Sequence, residues 1–160
     1  MFDKFGEFNS VEELNRKAEE LKRTDAGKVL ELAEENGIDR EIAQCFLDGE
    51  LDELADQMTM AMSRLMLESK EYDCKEIMRD WSELIMQRVG NDEKMAMAVT
   101  AKEKSLKGCI AHILKWSWEN SYDVDKETVK MALGKNQVVK MGIPGSATVK
   151  KLIREYYVGG

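Results

Sequence analysis

The sequence predicts an all-α protein, with eight or nine short to medium helices in a compact bundle and little or no β-sheet. Good helix formers (alanine, leucine, methionine, glutamate and lysine) far outnumber the β-branched valine, isoleucine and threonine. Apolar residues recur at helical spacing along most of the chain, and Pro144 is the single proline. A hydrophobic content of 43% over 160 residues is enough to bury a core.

The first predicted helix begins at Ser10, where the stretch SVEE forms a capping box, and ends near Arg23. Its apolar stripe is narrow and its other faces are charged, so we expect this helix (residues 9–23) to dock loosely or to stand apart. Two short helices follow, and each is predicted to end at a glycine, Gly37 and then Gly49.

A long helix is predicted over residues 50–72. The four-residue spacing of Met58, Met62 and Met66 places them on its core-facing stripe, whereas Met60 falls off that stripe. An adaptable partner-binding patch is the less common use of such methionines, because they more often fill a core.

The remaining helices are predicted in the rest of the chain, and a candidate capping residue marks the start of each. The stretch QVVKMGI is the one candidate for a short extended segment, and IPGS is predicted to form a turn. The predicted starts are Asp73, Asn91 or Asp92, Ser105, Asp125 and Ser146, with helix ends at Gly90 and Gly134.

The net charge of −7 hides a division of the chain into two parts. Residues 1–93 hold 12 Lys/Arg and 25 Asp/Glu, which makes an acidic helical part with a charge of −13. Residues 94–160 hold 12 Lys/Arg and 6 Asp/Glu, which makes a basic helical module with a charge of +6. Two explanations stay open: the halves attract each other, or one of them binds a charged partner.

The sequence offers no set of residues that meets the requirements of a catalytic centre. Cys109 and His112, three apart, share a helix face but supply two ligands where a structural zinc site needs four. The pair also lacks a third group to orient a base. The stretch MGIPGSATVKK lacks the Lys-Ser/Thr pair of a phosphate-binding loop. We therefore expect no enzyme, no metal and no cofactor.

The three cysteines, Cys45, Cys74 and Cys109, are far apart and odd in number, which favours reduced thiols in a cytoplasmic protein. The chain shows no signal-peptide pattern and no apolar run approaching about 18 residues. We expect no membrane partner.

Trp116 and Trp118 point about 200° apart on a helix, so one should be buried and the other exposed among lysines. Such a tryptophan can anchor a protein interface or stack on a base. The candidate partner-binding residues are Lys104, Lys107, Lys115, Trp118, Lys150, Lys151, Arg154 and Tyr157. If the protein instead mimics DNA, the candidates are Glu12, Glu13, Glu19, Glu20, Glu50, Asp52, Glu53 and Asp56.

The stretch KEKSLKGCIAHIL, followed after a spacer by DVDKETVKMAL, resembles the C-terminal part of the PcfK-like proteins of conjugative plasmids and related mobile elements. The matching positions are Lys104, Ser105, Gly108, Cys109 and Ile110, then Asp125, Val129, Met131 and Ala132. A branch of that family is associated with the inhibition of Cas9, as anti-CRISPRs of the type II-A class.

This resemblance implies a non-enzymatic interaction protein of a mobile genetic element, an anti-CRISPR that binds and inhibits Cas9 with its guide RNA. The alternative hypothesis is a nucleic-acid-binding accessory protein of plasmid transfer that uses the basic half of the chain. The oligomeric state is left open, and a homodimer is one of the options.

Overall fold

The computed structural model describes residues 1–159, which form nine α-helices and one two-stranded antiparallel sheet. The prediction of an all-α bundle with little sheet is confirmed. The helices are α1 (Val11–Thr24), α2 (Ala26–Glu35), α3 (Arg40–Leu47), α4 (Gln57–Tyr72), α5 (Ile77–Val89), α6 (Glu93–Val99), α7 (Leu106–Glu119), α8 (Lys126–Leu133) and α9 (Ser146–Val158). The strands are β1 (Tyr122–Asp123) and β2 (Lys140–Met141), with Tyr122 opposite Met141.

Four of the predicted capping residues are confirmed by their hydrogen bonds. The side-chain oxygens of these residues accept backbone N–H groups in the first helical turn, which otherwise lack partners. They are Ser10 before α1, Asp92 before α6, Ser105 before α7 and Asp125 before α8.

Two predicted helix starts are wrong. Helix α4 begins only after Asp56, whose carboxylate accepts the N–H of Thr59 at 2.7 Å and so sets the first turn there. Asp73 does not cap α5, because it ends α4 in the left-handed region at φ 45°. The chain reverses through Asp73 and Glu76, which also has a positive φ, and α5 begins after that turn.

The molecule has two hydrophobic cores. The N-terminal core is built by α1, α2 and α3 with the first turn of α4, and Phe46 is fully buried at its centre. The C-terminal core joins α4, α5, α6, α7 and α9. Helix α4 serves both, because Met60 packs into the N-terminal core while Ala61 and Leu65 pack into the other. Met60 is therefore buried and Met66 exposed, which reverses the prediction for these two methionines.

The first helix is held firmly, so the expectation of loose docking is wrong. Leu14 and Ala18 are fully buried against α2, and Asn15 both donates to and accepts from the backbone of Ala55, at 2.8 and 3.1 Å. A narrow apolar stripe is sufficient here because α1 packs mainly against one helix.

The change of charge at residue 93 does not coincide with a boundary in packing. Trp81 and Ile85 of the acidic part lie in the same core as Ile110 and Ile153 of the basic module. The division between the two cores falls within α4 instead, so residues 94–160 are not an independent structural unit.

Candidate partner-binding surface

The start of α7 is tied to α9 and α4 by three hydrogen bonds. Lys104 donates from Nζ to the Tyr156 carbonyl at 2.7 Å, and the Ser105 N–H donates to the Tyr156 hydroxyl at 3.1 Å. The Leu106 N–H donates to Glu68 Oε2 at 2.6 Å. Burial raises the pKa of the Glu68 carboxyl above its usual range, although the Leu106 N–H opposes that effect.

Lys104, Ser105 and Gly108 all contact Tyr156 of α9. An alanine Cβ at Gly108 would lie 2.9 Å from Tyr156 Cζ and still nearer the hydroxyl oxygen. The ring also stacks beneath Lys104, whose Nζ is 4.9 Å from its centroid. The positions that carry the family resemblance therefore join α7 to α9, and Lys104 is engaged inside the protein.

Tyr157 was predicted to bind a partner, and the structure places it in the core. It is 4% exposed, and burial raises the pKa of its phenol well above the usual range. The apolar spacing of the last helix predicts Tyr156 on its buried face, but in the structure Tyr157 shares that face with Val149 and Ile153, and Tyr156 is only half-buried. The ring of Tyr157 is therefore not offered to a partner.

Three of the predicted basic residues face carboxylates of the same chain. Lys115 lies 3.8 Å from Glu119, Lys151 lies 3.6 Å from Glu155, and Arg154 pairs with Asp92. These exposed pairs weaken the positive potential that the three residues offer to a partner. Among residues 1–159, Lys107 and Lys150 have no ion pair, although Lys107 Nζ stands 5.5 Å from the ring centroid of Tyr72.

The two-residue spacing predicted one exposed tryptophan, and in the structure it is Trp118. It is 83% exposed, while Trp116 is half-buried and packs against the C-terminal core. An indole in this position has a large apolar surface with little protein around it, which is typical of an interface anchor.

More than half of the exposed large apolar side chains of residues 1–159 lie in the last part of α7 and the segment after it. We call residues 120–145, which contain β1, α8 and β2, the arm. The exposed apolar residues of the arm are Tyr122, Met131, Leu133, Val138, Met141 and Ile143. Scattered single exposures are normal, but a concentration of this kind marks interaction sites.

Helix α8 has little support from the rest of the protein. Within the described part of the chain it packs extensively against none of the other helices, and Val129 is its one buried residue. Met131 is 88% exposed and Leu133 is 48% exposed. The apolar spacing of Val129, Ala132 and Leu133 predicts that they form its buried face, and the structure confirms only Val129. No neighbouring helix covers the other two.

The arm is anchored at its base. Val124 donates its N–H to the Val139 carbonyl at 2.8 Å, next to the β1–β2 pairing, and Pro144 is buried. Gly142 lies directly on the end of α7, where an alanine Cβ would come within 3.0 Å of the Ser117 carbonyl carbon. These contacts hold the arm against α7 and leave its apolar residues outside.

The chain from residue 128 to residue 154 contains six basic residues and no acidic residue. Lys130, Lys135 and Lys140 of the arm form no ion pair within residues 1–159. The sequence prediction missed the arm's apolar residues, because it assigned Leu133 to a buried helix face and placed Val138, Met141 and Ile143 in a short extended segment without a surface role. The absence of carboxylates over this stretch was the signal that could have identified it.

Cys109 lies in the C-terminal core and not at an exposed, reactive position. Cys109 is fully buried, and burial raises the pKa of its thiol to about 12. His112 is half-buried, and its Nε2 lies 3.9 Å from Glu155 Oε2, beyond hydrogen-bonding distance. No group of three His, Cys, Asp or Glu side chains in residues 1–159 is arranged to hold a metal ion.

Several of the acidic candidates already make hydrogen bonds or ion pairs within the protein. Glu13 accepts the N–H of Asn9 at 3.0 Å, and Asp56 caps α4. Glu20 pairs with Lys17 and Glu19 with Arg23. The acidic surface of α1 is thus partly neutralised and lacks the exposed apolar side chains that distinguish the arm.

Comparisons of the whole chain with protein-family models, with curated proteins and with solved structures find no match.

Proposed function

We propose that this chain is a non-enzymatic interaction protein of a mobile genetic element, and that it acts in the cytoplasm as an anti-CRISPR by binding the Cas9–guide RNA complex. The observation that carries the interaction role is the arm, which leaves Met131, Val138 and Ile143 exposed beside unpaired lysines. The choice of Cas9 as the partner is supported by the resemblance of residues 104–133 to PcfK-like proteins.

The proposed contact surface consists of the arm and the adjoining outer face of α7. Lys107, Leu114 and Trp118 fall within about 40° of one another around that helix and are all exposed. Their helix leads directly into the arm, so one partner surface reaches both. Lys104 and Tyr157, which are engaged inside the protein, are left out of this surface.

A cleavage assay with a panel of Cas9 orthologues tests the proposal. The wild-type chain should inhibit cleavage of linear DNA by at least one orthologue in a concentration-dependent way. Trp118→Ala should weaken inhibition at least tenfold, because the loss of an exposed aromatic anchor costs about 2 kcal/mol or more of binding free energy. Tyr72→Phe, which keeps the ring below Lys107, serves as a control that should inhibit normally. No inhibition of any orthologue at high excess would overturn the Cas9 proposal.

The second candidate is a nucleic-acid-binding accessory protein of plasmid transfer. The observation that favours it is the run of six basic residues with no acidic residue between positions 128 and 154. Filter binding of single- and double-stranded DNA over a salt series tests it. Binding that weakens steeply with salt and is lost on reversal of Lys130, Lys135 and Lys140 would support this function; no binding at low salt would reject it.

A further inference from the structure

The arm has exposed apolar side chains that no other element of residues 1–159 covers, and its residues 128–145 are basic, with three lysines and no carboxylate. Its exposed aliphatic side chains come from α8, from the loop that follows and from β2 with the residues after it. An eight-residue helix is about 12 Å long, so these side chains fall within the footprint of one ordinary protein interface. The question is which kind of molecule covers them.

The charge pattern disfavours a symmetric second copy as the natural occupant. In a two-fold dimer the same surface of each copy faces the other. The exposed aliphatic side chains of the arm all lie in residues 128–145, which carry Lys130, Lys135 and Lys140 and no carboxylate. The carboxylates of the arm, Asp123, Asp125 and Glu127, precede this stretch, and Asp125 already accepts the N–H of Thr128 at the start of α8. Like charges brought together at an interface cost binding free energy, so the arm favours a partner of opposite charge.

The same arm is poorly suited to nucleic acid. The exposed aromatic ring of the arm, which would stack on a base, belongs to Tyr122 and stands beside the carboxylate of Asp123. A phosphate near that ring would be repelled over about 8 Å at physiological salt. The unpaired lysines are instead interleaved with Met131, Val138 and Met141, which are side chains that fill pockets in proteins.

We infer that the arm docks on a protein surface that is apolar at its centre and acidic around its rim. The aliphatic side chains enter the apolar part, and Lys130, Lys135 and Lys140 meet carboxylates around it. This inference rests on the proposed role as an interaction protein, but it does not depend on Cas9 being the partner.

The test is a random dodecapeptide library, displayed on phage and selected against the intact protein. The arm variant carries Met131→Glu with Val138→Glu, and the matched control carries Met66→Glu with Met97→Glu, two exposed methionines outside the arm. Because all four side chains are exposed, each substitution should change stability by no more than about 0.5 kcal/mol, and the Tm of every variant verifies that it folds.

The expected result is a set of peptides that combine Asp or Glu with apolar residues and bind the wild type and the control equally. Their affinity for the arm variant should fall at least tenfold, as expected when apolar anchors are lost, and their affinity for a Lys130→Glu/Lys135→Glu/Lys140→Glu variant should fall at least as far. Selection of basic peptides, of peptides that bind the arm variant equally well, or of no binding peptide would overturn the inference.

Two further probes are measured with the same variants. One is fluorescein-labelled oligo-thymidylate, and the other is phosphatidylcholine vesicles with about 30% phosphatidylglycerol. Arm-dependent binding of either probe, stronger than that of the selected peptides, would assign the arm to nucleic acid or to lipid and overturn the inference. A failure of Cas9 inhibition together with arm-dependent acidic peptides would reject the proposed partner and leave the inference standing.

Discussion

Gly108→Ala is the substitution that tests the packing of α7 against α9 most sharply. The added Cβ would lie 2.9 Å from Tyr156 Cζ and 3.1 Å from Ser105 Oγ, so the tyrosine ring must move. That movement breaks the hydrogen bond from the Ser105 N–H, worth about 1 kcal/mol, and adds overpacking of about 1–2 kcal/mol. The better helix propensity of alanine returns about 0.8 kcal/mol.

The expected net loss is about 1–2 kcal/mol in the free energy of unfolding, measured by urea denaturation. For a chain of this size it corresponds to a fall in Tm of roughly 3–8 °C. Gly27→Ala is the matched control, because its Cβ would meet only Asp25 Oδ1 at an ordinary 3.4 Å; this variant should be neutral or more stable.

A double-mutant cycle with Tyr156→Phe identifies the cause. Removing the hydroxyl relieves the closest contact and removes the hydrogen bond that the ring movement breaks, so Gly108→Ala should cost markedly less in that background, where only the ring carbon Cζ at 2.9 Å still has to shift. The two substitutions should therefore couple by at least 1 kcal/mol. Additivity within about 0.5 kcal/mol would refute the packing of Gly108 against Tyr156.

Three other predictions follow from buried groups. In the native protein a thiol reagent should modify the half-buried Cys45 first and Cys109 last, because burial raises the pKa of Cys109 to about 12; mass-spectrometric mapping that finds Cys109 modified first would contradict its burial. Burial raises the folded-state pKa of Glu68, so the wild type loses stability as the pH rises from 4.5 through that pKa. The stability of Glu68→Gln relative to the wild type should accordingly rise between pH 4 and pH 7, and urea titrations that find no change or the opposite sign would reject this assignment. Glu7→Ala should destabilise the protein by about 1–3 kcal/mol, since it leaves the buried guanidinium of Arg64 without its carboxylate; an unchanged urea midpoint would show that this ion pair does not hold the N-terminal segment.

The helical fold could be predicted because its signals are local. Ser10, Ser105 and Asp125 are capping residues with the required hydrogen-bonding side chains, and the apolar spacing marks the buried faces. The start of α4 was predicted too early because Leu51 and Leu54 continue the apolar spacing into a segment that is not helical. Apolar periodicity alone does not distinguish the first turns of a helix from a non-helical segment with the same spacing.

The candidate surface was only partly predictable, since it depends on which faces find a neighbour. Helical geometry predicted that one of Trp116 and Trp118 is exposed, and only the structure shows that it is Trp118. Leu133 was predicted to be buried and Tyr157 to bind a partner, and both predictions are wrong. An apolar stripe is buried only where another helix packs against it, and α9 has such neighbours whereas α8 does not. The charge of Lys115 and Arg154 pointed to a binding surface, but both face carboxylates of the same chain. The Glu119 partner of Lys115 could have been identified from its four-residue spacing on the helix, whereas the Asp92 partner of Arg154 is 62 residues away and appears only in three dimensions.

The central claim is that the arm carries the partner contact, and a titration of Cas9 cleavage measures it most directly. The wild type, the arm variant Met131→Glu/Val138→Glu and the control Met66→Glu/Met97→Glu are compared on a susceptible orthologue. The account predicts equal inhibition by the wild type and the control, and at least tenfold weaker inhibition by the arm variant, as expected for the loss of apolar anchors. Inhibition by the arm variant that equals that of the wild type would contradict it.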